Sequence, residues 1–222
     1  MGVNSRVTSR ARKPKDKARR HDVILATARR LFEERAMDEI TMAEVAELAG
    51  FAKGTVFIYF PTKEALFLEM LGREISAWVD EVNAVLTSGP GRWSTTRVAR
   101  LIAESMSARV LLTRLLPLLS GVLERNLDNA RLLEFKTNLL AQLESMGALL
   151  ERRLDFLQPG EGIRVTLRIY AVVIGVRILC APGAGAREVL ARPEMQPLVV
   201  DFDEELMTMM LATLQGLELR TQ

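Results

Sequence analysis

Residues 41–66 read TMAEVAELAGFAKGTVFIYFPTKEAL, and few folds can accommodate that run. Thr41 with Glu44 three residues later forms a capping box, and Ile40 and Val45 sit where a hydrophobic staple packs, so a helix starts here. Gly50 marks its end as a left-handed C-cap. A second short helix covers about residues 53–59. Pro61 blocks its continuation, and Thr62 caps a further helix over about residues 63–86. Upstream, Val23, Ile24, Ala26, Thr27, Ala28, Leu31 and Phe32 place a buried stripe on a first helix expected from Asp16 or Lys17 to Glu34. Two short helices joined by a glycine turn make the geometry that lays one helix in the DNA major groove.

Apolar residues make up 49% of the 222 and aromatics only 5%, which favours an all-α chain over a sheet protein. The cluster Thr87-Ser88-Gly89-Pro90-Gly91 is the best internal boundary. Beyond it, helices are expected over about 94–119 (with a break before Pro117), 127–157, 162–180 and 201–219, with a turn of helix near 187–191. The expected architecture is an N-terminal three-helix DNA-binding domain joined by helix 4 to a larger C-terminal helical bundle. Residues 1–17 are expected to be a basic arm, disordered without a partner, 18–66 the helix-turn-helix domain, and 67–222 a larger helical domain.

Charge is distributed unevenly. Residues 1–20 hold eight cations against Asp16 alone, leaving 22 basic and 27 acidic groups on the other 202 residues. Such an arm suits a polyanion, duplex DNA first. Residues 21–60 carry four basic and seven acidic groups, so this domain needs the arm's Arg10, Arg12 and Lys13 to offset repulsion by phosphate. The one cysteine, Cys180, rules out an internal disulfide and fits a reducing cytoplasm. The most apolar window, residues 169–180, is shorter than the ~20 residues a membrane span needs and contains Arg177. His21 is the only histidine, read as a solvated helix-start residue. Neither a metal set, a cofactor loop nor a nucleophile–base pair is recognisable, so an enzyme is disfavoured.

A recognition helix exposes small or polar residues near its start and buries the opposite face. Gly54 and Thr55 lack bulk, Lys53 and Thr55 can donate to phosphate or a base edge, and Tyr59 and Lys63 can reach the backbone. Val56 and Phe60 are expected to hold the helix on the core. These residues resemble the N-terminal pattern of the TetR family of bacterial transcription regulators: Thr41, Ala49-Gly50, Gly54-Thr55, Phe57 with Tyr59-Phe60, and Lys63-Glu64. The resemblance covers roughly residues 22–68. It implies an all-helical homodimer that contacts DNA through Thr41, Lys53, Gly54, Thr55, Phe57, Tyr59 and Lys63, has residues 67–222 as its effector-binding and dimerisation domain, and is released from a palindromic operator by an effector. It also implies a place in the cytoplasm, on the bacterial chromosome. Two departures stand out. Phe57 replaces a frequent Tyr, removing a hydroxyl, and Ile58 replaces a His or Arg, leaving a side chain that can touch a thymine methyl but not hydrogen-bond a base.

An effector pocket combines apolar walls with a few polar groups. Trp78, Met106, Phe135, Leu139, Tyr170, Ile174 and Arg177 are the candidate lining, suited to a small hydrophobic or aromatic molecule. The last two long helices carry apolar residues on more than one face, which suggests a two-fold four-helix interface. A ligand-responsive homodimeric repressor therefore leads. The alternative is a sequence-nonspecific DNA-binding scaffold with a basic tail.

Overall fold

The computed structural model describes the backbone of residues 5–220, and their side chains except those of residues 5–14, Asn126 and Ala184. Every regular element described is a helix. The chain divides into two compact units, one ending at Met70 and the other starting at Leu71.

The first unit holds α1 (Ser5–Glu34), α2 (Met42–Leu48), α3 (Lys53–Tyr59) and the opening turns of α4 (Lys63–Thr87). α1 begins at Ser5 rather than at Asp16 or Lys17; the added stretch holds five Arg or Lys residues, which are good helix formers, although it also contains Pro14. The arm side chains Arg10, Arg12 and Lys13 lie outside the described residues. The buried stripe of α1 also differs from expectation. It runs Ile24, Leu25, Thr27, Ala28, Leu31 and Phe32, with Val23 and Ala26 turned to solvent, because a 3.6-residue period centred on Ile24, Ala28 and Leu31 admits Leu25 and excludes those two.

Around α2 only one bond of the expected capping box forms. The Thr41 hydroxyl accepts from the Glu44 amide at 3.2 Å, while the Glu44 carboxylate accepts from Arg35 at the end of α1. Ile40 and Val45 are wholly buried. Gly50 has a φ of 72°, and the paired bonds from Phe51 N–H to Ala46 O and from Gly50 N–H to Glu47 O close a Schellman turn. His21 is not the solvated residue expected. It is three-quarters buried, lies 3.0 Å from the Glu69 carboxylate, and packs its ring 4.7 Å from that of Phe60. It ties α1 to α4, as does the edge-on pair Phe32–Phe67.

The second unit takes the rest of α4, then α5 (Thr95–Ser107), α6 (Val110–Leu115), a π turn (Leu119–Leu123), a 3-10 turn (Glu124–Asn126), α7 (Asn129–Arg153), α8 (Gly162–Leu179), α9 (Ala184–Leu190), a 3-10 turn (Pro193–Leu198) and α10 (Phe202–Leu219). α10 packs on α5 and α8, and α7 packs on α8. The expected helix over 94–119 breaks before Pro117, where α6 ends at Leu115, and also earlier, at Arg109. Arg109 leaves helical geometry (φ −113°, ψ 64°) with its guanidinium paired to Glu81 of α4, and the new direction buries Leu111, Leu112, Leu115 and Leu116. α7 stops at Arg153, four residues early. That side chain turns back to donate to the carbonyls of Leu86, Ser88, Gly89 and Gly91. With four of its five N–H donors on carbonyls, the guanidinium can be buried without a carboxylate; it clamps the end of α4 and the glycine turn.

Candidate nucleic-acid interface and ligand cavity

α3 divides cleanly into two faces. Val56 and the following Phe60 are 0% and 1% exposed, and Thr55 and Tyr59 lie at the margins. Lys53, Gly54, Phe57 and Ile58 form the outer face, with Ile58 77% exposed. The Lys53 ammonium lies 5.9 Å from the Phe57 ring centre. Ala52, the N-cap, supplies no side-chain cap, which leaves the first N–H groups of the helix to an outside acceptor.

Gly54 is the most telling position. Its φ is not in the left-handed region, and a Cβ built there meets nothing within 4 Å. Neither backbone geometry nor internal packing calls for glycine, although glycine within a helix costs ~0.5–1 kcal/mol relative to alanine. The remaining reason is close approach by something outside the chain. Gly54→Ala is accordingly expected to raise the melting temperature of the protein while weakening duplex binding by about ten- to a hundredfold, the scale of one overpacked contact. Thermal melts and duplex titrations on the same preparation check the opposite signs; equal binding by the two proteins contradicts it.

The other expected DNA contacts are placed unevenly. Thr41 is exposed, but its hydroxyl is engaged as the α2 cap. Lys63 donates to the carbonyls of Met37 and Ile40 at 2.8 and 2.9 Å, closing the turn between α1 and α2. Two of its three donors therefore serve the fold, leaving one for phosphate. Tyr59 stands edge-on to His21 with ring centres 6.2 Å apart.

In the second unit an apolar cavity of about 130 Å³ is walled by α4 through α8. Trp78, Met106, Leu139 and Tyr170 line it together, as do Ile75, Leu112, Leu116, Leu119, Lys136, Leu143, Met146, Thr166, Leu167 and Ile169, none of which stands out in the sequence as a lining residue. Trp78 is fixed by a 2.9 Å bond from its indole N–H to Ser105. Burial, with Glu124 nearby, raises the Tyr170 pKa, so at neutral pH the cavity offers a phenol rather than a phenolate. Lys136 is paired with Glu124.

Phe135, Ile174 and Arg177 lie outside this lining. Phe135 packs towards Gly72, its ring 3.7 Å from where a Cβ would stand. Arg177 donates to the Thr113 hydroxyl at 2.6 Å and lies flat on Phe202, 3.7 Å from the ring centre. Desolvation lowers its pKa, yet the stacking and the hydroxyl hold the guanidinium as an α6–α8–α10 strut rather than a ligand anchor. Burial also raises the Cys180 thiol pKa, which disfavours the thiolate that redox chemistry needs.

No helix among the described residues is long and apolar enough to cross a membrane, and no cluster of metal-ligating side chains occurs among them. The family model for bacterial regulatory proteins of the tetR family matches residues 24–70, and that for the tetracyclin repressor-like C-terminal domain matches residues 72–221. EthR of Mycobacterium tuberculosis is 42% identical over 53 residues, 24% of each chain. QacR of Staphylococcus aureus is 38% identical over 60 residues, 27% of this chain and 32% of QacR. The chain thus aligns with only a quarter to a third of the length of these relatives. Among solved structures, a TetR/AcrR regulator from Thermobifida fusca superposes with a TM-score of 0.57 at 17% identity, covering 89% of this chain and 97% of that one. FadR from Bacillus subtilis, solved in complex with stearoyl-CoA, does so with a TM-score of 0.56 at 14% identity, covering 87% and 97%. With both family models matched in order along the chain, the protein belongs to the TetR family of helix-turn-helix, DNA-binding transcription regulators.

Proposed function

We propose that the protein is a homodimeric repressor that binds a palindromic operator through α3 and is released by a small apolar effector held in the α4–α8 cavity. The observation that carries the DNA half of this proposal is the outer face of α3, where Gly54 serves no purpose inside the chain. Residues 18–66 act as the reading head and residues 67–222 as the effector and dimer body.

The effector half rests on the cavity. Its walls are almost wholly apolar, and its polar edge is the Tyr170 phenol, Thr166 and the Lys136–Glu124 pair. A volume near 130 Å³ suits a molecule of about benzene size; a longer ligand, such as the acyl chain of the stearoyl-CoA held by FadR, requires the walls to part. α4 carries Lys63 near its start and Ile75 and Trp78 in the cavity wall, so displacement of Trp78 is transmitted along one continuous helix. Reciprocal linkage tests the switch: a ligand that weakens operator binding must itself bind more weakly, by the same factor, when operator is present. Titrating indole and phenol with and without the duplex selected by the protein measures both sides. Equal ligand affinities in the two titrations contradict the switch.

The dimer surface is proposed on the solvent face of α8 and α10. Ala171, Gly175, Ile178 and Leu179 are exposed on α8, and Met209, Ala212, Gly216 and Leu219 on α10. Val173 and Met210 are wholly buried within the protomer, so they belong to its core and not to this surface.

The arm supplies cations that residues 21–60 lack. Deleting residues 1–15 removes five cations and no acid, and it is expected to weaken duplex binding and flatten the slope of log K against log salt by roughly 0.9 for each phosphate that the arm neutralises. Equal salt slopes for the full-length and shortened proteins would show that the arm does not touch DNA.

A further inference from the structure

We propose that Ile58 is a base-reading residue that selects a thymine in each operator half-site by contact with its C5-methyl group. This deepens the operator-binding proposal and depends on it. The outer face of α3 is unusual in what it lacks. Gly54, Phe57 and Ile58 follow one another at i, i+3 and i+4, so they share one stripe. Along that stripe there is no hydroxyl, amide or guanidinium. The flanking Lys53 ammonium lies along the Phe57 ring, and Thr55 turns towards the margin of the buried face.

Exposure makes the point sharper. Ile58 is 77% exposed, above every other large hydrophobic side chain described as exposed, Leu219 at 71% and Leu133 at 69% included. It makes no contribution to the core of its own unit, whose α3 contribution comes from Val56 and Phe60. Covering this side chain with an apolar group of a partner removes surface from water and so favours the contact.

The chemistry of the partner follows from the major groove. Each base pair presents hydrogen-bonding atoms there, and thymine alone adds a methyl group. A stripe without polar side chains cannot score the hydrogen-bonding atoms, but it can bury a methyl. Gly54, one turn before Ile58, removes the bulk that would hold the helix away from the base edges. The geometry therefore assigns Ile58 to the thymine methyl, with Phe57 closing one side of the contact and Lys53 free to approach phosphate.

The test uses the full-length protein and duplexes selected by it from a random pool. Each thymine of the selected site is replaced in turn by deoxyuridine, which removes only the C5-methyl, and binding is read by fluorescence anisotropy. One symmetry-related pair of thymines is expected to respond, with about a fourfold loss per half-site and about sixteenfold for both, the value of burying one methyl. Ile58→Ala should weaken binding to the parent duplex by a similar factor and bind thymine and uracil duplexes equally. Ile58→Val, which keeps a branched apolar tip, should restore part of the discrimination. Melting temperatures should match the parent, since the side chain is outside the core. Wild-type protein indifferent to uracil at every position, or Ile58→Ala retaining the full discrimination, would overturn the assignment while leaving operator binding intact. Failure to select any site would overturn operator binding itself, and this assignment with it.

Discussion

Gly175→Glu is expected to yield a folded monomer with its operator affinity reduced at least a hundredfold. Gly175 lies on α8 with ordinary helical φ, is exposed, and has nothing within 4 Å of a built Cβ; Gly216 on α10 is the same. Exposed small and apolar residues line one stripe on each helix, Ala171, Gly175 and Ile178 on α8 and Ala212 and Gly216 on α10, and these stripes make the surface proposed above for a two-fold mate. A glutamate there places one uncompensated charge per protomer in the interface, and each costs roughly 3–5 kcal/mol once buried. Within the protomer the same side chain reaches solvent, so folding is spared. Val173→Asp and Met210→Asp make the contrast. Both sites are 0% exposed, and their variants should unfold rather than dissociate. Sedimentation velocity with a circular-dichroism melt separates the cases; a Gly175→Glu protein that remains dimeric and binds DNA would remove this surface from the account.

Gly162→Ala should have the largest effect on stability of any single methyl added to the chain. Its Cβ would stand 2.1 Å from the Gly147 carbonyl oxygen and 2.4 Å from its carbonyl carbon, and a Cβ on Gly147 would lie 2.7 Å from the Ile163 nitrogen. The obstacles are backbone atoms, so no rotamer change relieves them, and the start of α8 must move off α7. A loss of about 4 kcal/mol is expected, at the upper end for one substitution, which corresponds to a fall of roughly 10 °C or more in a chain of this size. Gly185→Ala in α9 is the control. A Cβ there meets open space and φ is ordinary, so the melt should be unchanged or slightly higher. Similar melting temperatures for Gly162→Ala and wild type would show that the crossing of α7 and α8 is looser than described.

Legibility from sequence followed the range of the interactions. Thr41 and Gly50 act on residues within five positions of themselves, so α2 and its turn were readable from their spacing, whereas the Glu44 carboxylate reaches Arg35, nine residues back. Val56 and Phe60 were readable because burial on a short helix has one periodic solution. The Gly147–Gly162 crossing was not readable, since two glycines fifteen residues apart carry no signal until a turn brings their helices together. Nor was the role of Arg153. Its partners are carbonyls of residues 86–91, and a carbonyl is present at every position. Arg177 looked like a ligand anchor because it interrupts an apolar helix, yet Thr113 and Phe202, distant in sequence, meet it. The cavity was half legible. Trp78, Met106, Leu139 and Tyr170 could be guessed as amphipathic lining, whereas Leu112, Leu116 and Leu119 reached it only through the break at Arg109 and the π turn that follows. On α8 and α10, apolar residues all round marked two faces without saying which was internal.

Hydroxyl-radical footprinting of the full-length protein, on the duplex it selects from a random pool, is the most direct test of a dimer that reads DNA through α3. Two protected half-sites are expected, related by a two-fold axis and centred about 34–36 Å apart or a multiple of that spacing. Protection should survive moderate salt with wild type and vanish with Gly54→Ala and Gly175→Glu. Uniform protection without a preferred site, equally sensitive to salt in all three proteins, would instead describe a basic-tailed scaffold and contradict the account.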